Sequence, residues 1–311
     1  MPSTTALTTT RRSLPWVGMG ESGEWDNVTE ALIDGNIDYS VEQTEAYDDR
    51  GNVVPYVMVN RRVDTHEILG VTSPGYGVVQ NDEAFSLLDP FCTAGGIIEH
   101  AGMTNTGMVF MVMRMSSMAF GFSGDEFDLF ICAMNSFNTK FPLALIITPV
   151  RVICQNMFRK LMYKGDTALL IKHGSCASSR ILTASKATSL LLGYTKDFTR
   201  TLTWYEGNKR DASDLDDYIE RLLPLVPVTP EHPRAAAANV RIREQRKDFL
   251  ENYYDAPDNV KYHGTKLGIV NAYYDWITHH RPTRASSNFE EVRFGNLMNG
   301  TGVNRRLIAS A

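Results

Sequence analysis

The sequence has few cysteines and no apolar run long enough to cross a membrane. The longest nearly uninterrupted apolar run, from Phe141 to Val150, has about half of the ~20 residues that a membrane-spanning helix needs, and it contains two prolines. The first residues lack the apolar segment of a secretory signal, so the opening is interpreted as a disordered tail. The four cysteines are widely spaced without a C-x-x-C pair, which favours reduced thiols in a cytoplasm over a zinc site or a disulfide framework. They are Cys92, Cys132, Cys154 and Cys176. We therefore predict a protein without a membrane partner.

The sequence also lacks a recognisable catalytic constellation. Cys154 follows an apolar run, but the 7 histidines are scattered and no pattern supplies a base for this thiol. Ser175 lacks the G-x-S-x-G context of a serine nucleophile. His279 and His280 are adjacent, so on a helix they would point about 100° apart and make poor joint metal ligands. The sequence predicts no catalytic residue, no metal ligand and no cofactor.

Two other patterns have structural interpretations. Gly18, Gly20 and Gly23 match G-x-G-x-x-G, but a basic tail precedes them instead of a strand, so a glycine-rich loop pinned by Trp16 and Trp25 is favoured over a dinucleotide site. In the acidic run DASDLDD, residues 211–217, we expect Ser213 to cap a helix and the aspartates to stabilise its first turn, rather than to bind Mg²⁺.

The net charge of −5 conceals an uneven distribution. Residues 1–150 carry 7 Lys and Arg against 19 Asp and Glu, residues 151–210 carry 11 against 3, and residues 211–311 carry 13 against 14. A basic block inside an acidic chain is typical of a surface that binds a polyanion. The alternative, that the basic segment folds against the acidic part of its own chain, stays open at this point.

Hydrophobic periodicity predicts an α+β fold. Alternation over residues 37–47, the turn DDRGN and the runs VVPYVMVNRRVD and EILGVTSPGY predict a three-stranded antiparallel meander. A short helix capped by Asn27 precedes the meander and a helix over residues 80–102 follows it, which completes a βββα core. The runs MVFMVMRM, FDLFICAMNSF, ALIITPVRVIC and DTALLIKHGS predict further strands. A helix is expected to begin at QNM, residues 155–157, and a long helix at residues 178–179, before a helical C-terminal third.

The predicted organisation has four parts. Residues 1–13 form a disordered tail, and residues 14–210 form an α+β core domain that contains the basic segment 151–210. Residues 211–284 form a helical region, and residues 285–311 form a partly mobile tail.

The basic segment combines cations with aromatic side chains. These are the two ingredients of a groove for single-stranded nucleic acid, because cations follow the phosphates while bases stack on aromatic faces. The candidate binding residues are Arg61, Arg62, Arg151, Asn156, Arg159, Lys160, Lys164, Lys172, Arg180 and Lys186. Further cations on the long helix are Lys196, Arg200, Lys209 and Arg210. Most of the interleaved aromatics are expected to lie in the core; they are Phe158, Tyr163, Tyr194, Phe198, Trp204 and Tyr205.

Four stretches together resemble a known family. LPWVGMG, NRRVDTHEILGVTSPGYGVVQNDEAF, RVICQN and GTKLGIVNAYYDWITHHRPTR, spread over residues 14–284, are similar to the phage- and plasmid-borne family called domain of unknown function 932. Val17 and Met157 depart from the family pattern, and residues 60–62 are a variant of its Arg-containing step. The resemblance implies a cytoplasmic protein of a mobile element in a bacterial host, and it implies no activity.

The order of elements suggests a function by analogy. The predicted βββα core is similar to that of phage single-strand annealing proteins of the Redβ and RecT kind, which bind single-stranded DNA in a basic groove and assemble into rings or filaments. We therefore predict a homo-oligomeric recombination protein that binds and anneals single-stranded DNA without a cofactor. Two other functions stay open, a metal-dependent enzyme on nucleotides or nucleic acid and a non-enzymatic phage protein that inhibits a host factor.

Overall fold

The main sheet of this α+β fold is antiparallel and seven-stranded. The computed structural model describes Trp16 and residues 19–116, 119–151, 168–174, 188–230 and 232–277. The strands of the main sheet are β1 (Glu21–Trp25), β5 (Ile97–Met103), β6 (Met108–Arg114), β7 (Phe120–Phe122), β8 (Asp125–Ser136), β9 (Leu143–Arg151) and β10 (Ala168–Ile171). Their order is β1-β5-β6-β8-β9-β10, and β7 pairs with one end of β8. The central strands β6 and β8 are almost entirely buried, as their continuous apolar runs predicted.

The predicted three-stranded meander is confirmed as a second sheet. It consists of β2 (Val41–Tyr47), β3 (Val53–Arg62) and β4 (Ile68–Thr72), in that order. The buried Asn60 side chain joins this sheet to the main one, because its Nδ2 donates to the Phe137 carbonyl at 2.8 Å. Gly70 makes the contact close, since a Cβ there would lie 2.5 Å from the same carbonyl oxygen.

The helical segment after the meander is shorter than the predicted helix over residues 80–102. The helix capped by Asn27 is confirmed as α1 (Val28–Asp34). After the meander come α2 (Asn81–Phe85), a 3-10 turn (Ser86–Leu88) and α3 (Asp89–Thr93). The prediction that helix continues to residue 102 is wrong, because residues 97–103 form β5. Gly95 has a φ of 86°, a conformation that ends a helix, and the β-branched Ile97 and Ile98 then pair with β6.

The prediction of a glycine-rich loop at the start of the core is also partly wrong. Trp16 and Trp25 are buried as expected, but residues 21–25 form β1 and pair with β5. Gly20 has a φ of 64°, and a Cβ on it would lie 2.4 Å from the Ala101 carbonyl oxygen. The absence of a side chain at Gly20 therefore lets the backbone before β1 pack directly against β5.

The predicted helical C-terminal region is mainly helical over its described residues, 211–230 and 232–277. Helix α4 (Thr188–Gly207) precedes this region, which contains α5 (Ala212–Leu222), α6 (Ala235–Asp255) and α7 (Lys266–Asp275). A 3-10 turn (Val260–Tyr262) precedes α7, and every residue of α7 is buried. On α4, Phe198 packs edge-on against Phe120 and Phe127 of the main sheet.

The cap of α5 differs from the prediction. Asp211, and not Ser213, is the N-cap: its Oδ1 accepts from the Asp214 amide at 3.0 Å, and the Asp214 carboxylate accepts from the Asp211 amide at 3.0 Å. Ser213 donates to Asp211 at 2.7 Å instead. This reciprocal arrangement is a capping box, and it gives the acidic run a structural role.

Several predicted elements lie outside the described residues. They are the helix after residue 154, the beginning of the long helix at residues 178–179, and the two tails at 1–13 and 285–311.

Candidate nucleic-acid interface

One face of α4 carries cations and an aromatic ring in a row. Lys196, Arg200 and Trp204 are spaced four residues apart, so they lie on the same ridge of the helix, and all three are exposed. The opposite face contains Phe198, Leu202 and Tyr205, which are buried. We call Lys196, Arg200 and Trp204 the α4 ridge.

Among the described side chains, the carboxylate of Asp197 compensates the α4 ridge weakly. Arg200 Nη1 lies 3.3 Å from Asp197 Oδ1, and both side chains are more than half exposed to solvent. An exposed pair of this kind is worth about 0–1 kcal/mol, so Arg200 can exchange this carboxylate for another anion at little cost. Glu206, near the end of α4, accepts a hydrogen bond from the Ser123 hydroxyl at 2.9 Å.

A second cation group forms where the end of α4 meets the beginning of α7. The Arg210 amide donates to the Gly264 carbonyl at 2.9 Å, and the Lys266 amide donates to the Asn208 carbonyl at 2.8 Å. Lys209 and Thr265 form the bridge between these two antiparallel segments. The pairing therefore brings Lys209, Arg210 and Lys266 together from distant parts of the sequence.

Lys266 lies behind the aromatic end of the α4 ridge. Its Nζ is 5.2 Å from the centroid of the Trp204 ring and 4.9 Å from that of Tyr205, within the range of cation–π contacts. The side chain is buried, and burial together with the nearby Arg210 charge lowers the Lys266 pKa to about 8. Lys266 is thus mostly protonated at neutral pH, and its ammonium adds positive charge behind Trp204.

The candidate arginines of the meander are engaged with carboxylates. Arg61 Nε donates to Glu42 at 2.8 Å. Arg62 contacts both oxygens of Asp64, at 3.0 and 2.7 Å, and lies over the Tyr39 ring at 4.0 Å. The hydrogen bond from Arg62 lowers the pKa of Asp64 to about 2. Each arginine therefore already has a carboxylate beside it, which offsets part of its positive charge.

The other candidate residues are described only in part. Lys172 follows β10 and is exposed. Arg151 is the last residue of β9, and its side chain is not among those described. The candidates outside the described residues are Asn156, Arg159, Lys160, Lys164, Arg180 and Lys186.

The sequence pattern did not separate the useful aromatic from the structural ones. Phe198, Trp204 and Tyr205 were grouped together, whereas the structure buries Phe198 and Tyr205 and leaves Trp204 57% exposed. The spacing of four from Lys196 and Arg200 is the signal that could have found Trp204. No local pattern marks Lys266, because its contact with α4 depends on the pairing of distant segments.

The described side chains do not form a metal centre. Among them, no group of three or more His, Cys, Asp or Glu is placed to hold a metal ion. In the acidic run that was an alternative metal site, Asp211 and Asp214 are held by the capping box.

The fold and this interface define an α+β protein with a cationic and aromatic helix face. The model of the family described as Domain of unknown function (DUF932) matches residues 68–296, most of the chain. The chain therefore belongs to this family, as its motifs predicted. No curated protein and no solved structure matches the chain. Within the described ranges, no helix has the length and apolar character needed to span a membrane.

Proposed function

We propose that this chain binds single-stranded DNA through the α4 ridge and acts in the annealing of complementary strands. The observation that carries the proposal is the alignment of Lys196, Arg200 and the exposed ring of Trp204 on one ridge. Lys209, which follows the helix and is exposed, continues the positive charge beyond the ring. The basic character of segment 151–210 supports the same function.

The aromatic ring favours a single strand over a duplex. In a duplex the faces of the bases are stacked on one another, so an exposed indole beside the phosphate track finds no base to contact. In a single strand each base can leave its neighbours and stack on an aromatic side chain, which stabilises binding by about 1–3 kcal/mol per base. Cations supply the remaining contacts without reading sequence.

Binding is expected to depend strongly on salt. If Lys196, Arg200 and Lys209 each contact one phosphate, log K should fall with log[salt] with a slope of about −2 or steeper, at ~0.7 per contact for single strands. Fluorescence anisotropy of a labelled oligothymidylate, titrated with the full chain at several salt concentrations, measures this slope. Absence of binding at low salt would rule out the proposed function.

A double substitution tests the α4 ridge directly. Lys196→Ala with Arg200→Ala should reduce the magnitude of the salt slope by about 1.4 and weaken binding about 25-fold at about 0.1 M salt, because two phosphate contacts are lost. The matched control is Arg243→Ala with Lys247→Ala, which removes two exposed cations at the same spacing from α6. An equal loss in both double variants would show that the α4 ridge is not the track of the strand.

Annealing requires its own measurement. Two complementary oligonucleotides that carry a donor and an acceptor fluorophore should pair faster in the presence of the wild-type chain, and the Lys196→Ala, Arg200→Ala variant should lose most of this acceleration. Binding without acceleration would limit the function to strand protection and contradict the annealing role.

A further inference from the structure

Two residues of the α4 ridge are cations that can bind phosphates, whereas the third, Trp204, is uncharged and needs a different role. Its side chain is 57% exposed, although the neighbouring aromatics Phe198 and Tyr205 are buried. A tryptophan ring in water leaves a large apolar surface unburied, and such rings are enriched where one face meets a ligand or a partner. Lys266 at 5.2 Å and the exposed Arg200 one turn before place positive charge beside the ring, which complements a strand of phosphates and bases.

Trp204 is held on its inner side. The Tyr205 ring centroid lies 5.2 Å from that of Trp204 at an angle of 51°, and the ammonium of Lys266 lies 5.2 Å from the Trp204 centroid. A ring supported in this way loses little conformational freedom when a flat ligand stacks on its outer side, so the contact costs less entropy.

The support behind the ring includes a buried charge. Lys266 is 1% exposed, and its pKa of about 8 shows that burial disfavours the charged form. An apolar side chain of similar length would avoid the desolvation of an ammonium. A buried ammonium held against an exposed aromatic ring, in spite of this desolvation, is the pattern expected at a binding site.

We propose that Trp204 is a stacking subsite for one base of a bound single strand, that Lys266 is the positioning residue behind the ring, and that Lys209 contacts the adjacent phosphate. This inference rests on the proposed function, since the strand that stacks on Trp204 is the one that follows Lys196 and Arg200.

Substitution of Trp204 tests the stacking contact. Trp204→Ala should weaken the binding of oligothymidylate about 5- to 150-fold, which corresponds to the ~1–3 kcal/mol of one stacked base, and should leave the salt slope unchanged. Trp204→Phe should retain most of the affinity because it keeps a ring. A strand of abasic deoxyribose phosphates is the matched probe, and its affinity should be equal for wild type and Trp204→Ala.

The outcomes separate this inference from the proposed function. If wild type binds neither probe, the proposed function fails. If wild type binds oligothymidylate and Trp204→Ala binds it equally well, the proposed function stands and the stacking subsite is overturned. A change of oligomer size in Trp204→Ala, measured by analytical ultracentrifugation, with unchanged base-dependent binding would assign the ring to a contact between copies and would also overturn the subsite.

Substitution of Lys266 distinguishes a positioning role from a purely structural one. Lys266→Met should raise the midpoint of thermal unfolding by a few degrees and weaken oligothymidylate binding about 2- to 5-fold, since a cation–π contact is worth about 0.5–1 kcal/mol. Lys247→Met, at an exposed lysine on α6, should change neither quantity. A lower unfolding midpoint with unchanged binding would show that Lys266 only holds the fold together.

Discussion

Lys261→Met is expected to lower the free energy of unfolding by about 3 kcal/mol. Lys261 Nζ lies 2.8 Å from Asp125 Oδ1, and the Asp125 side chain is only 2% exposed. The same ammonium donates to the Ser123 carbonyl at 2.8 Å, and Tyr262 donates its hydroxyl to Asp125 Oδ2 at 2.7 Å. These contacts join the turn before α7 to the beginning of β8. Removal of the lysine takes away a positive charge that lies 2.8 Å from a buried carboxylate, which is the costly way to break an ion pair.

Urea unfolding followed by circular dichroism measures this loss. Lys247→Met is the matched control, because the Lys247 side chain is 76% exposed and its ion pair with Glu251, at 3.3 Å, lies on the surface. This substitution should change the free energy of unfolding by no more than about 0.5 kcal/mol. The double variant Asp125→Asn, Lys261→Met should recover part of the stability, since it also removes the charge of the buried carboxylate. If Lys261→Met unfolded at the same urea concentration as Lys247→Met, the ion pair of Lys261 with Asp125 would not contribute to stability.

Gly20→Ala is expected to destabilise the fold by about 3 kcal/mol, from two separate causes. The φ of 64° at this residue is unfavourable for any residue with a Cβ, which accounts for about 1–2 kcal/mol. The added Cβ would also lie 2.4 Å from the Ala101 oxygen, so β1 would have to move away from β5.

Gly51 separates the two causes. It has a φ of 81°, but an added Cβ would meet nothing within 4 Å. Gly51→Ala should therefore show the conformational cost alone, about 1–2 kcal/mol, and the difference between the two variants in thermal or urea unfolding isolates the close approach of β1 and β5. Equal losses at the two glycines would mean that the approach of the two strands is not tight.

Most of the described architecture follows from local patterns. The alternation before and after the DDRGN turn predicted the meander, and the apolar runs that became β6, β8 and β9 predicted buried strands. The main error was to extend a helix from its N-terminal signals at residue 80 as far as residue 102, although the helical turns end at residue 93. After Gly95 the β-branched Ile97 and Ile98 favour a strand, and their pairing with β6 establishes it.

The residues of the α4 ridge were not among the candidate binding residues named from the sequence. Charge distribution located a basic segment, and Lys196 and Arg200 were recognised as cations on outer faces of the long helix. Arg61 and Arg62 were selected for charge alone, and the structure pairs them with Glu42 and Asp64. Net charge along a chain cannot show which cations already have a carboxylate beside them, because ion pairs form between residues that folding brings together.

Periodicity, turn residues and family motifs were sufficient to establish the fold class, the βββα order and the membership of the family, since these depend on neighbours along the chain. The exposure of Trp204, the burial of Tyr205 beside it and the position of Lys266 behind both rings depend on the pairing of residues 208–210 with 264–266. Contacts of this range arise only when the main sheet and the C-terminal helices pack, because that packing decides which side of α4 faces water.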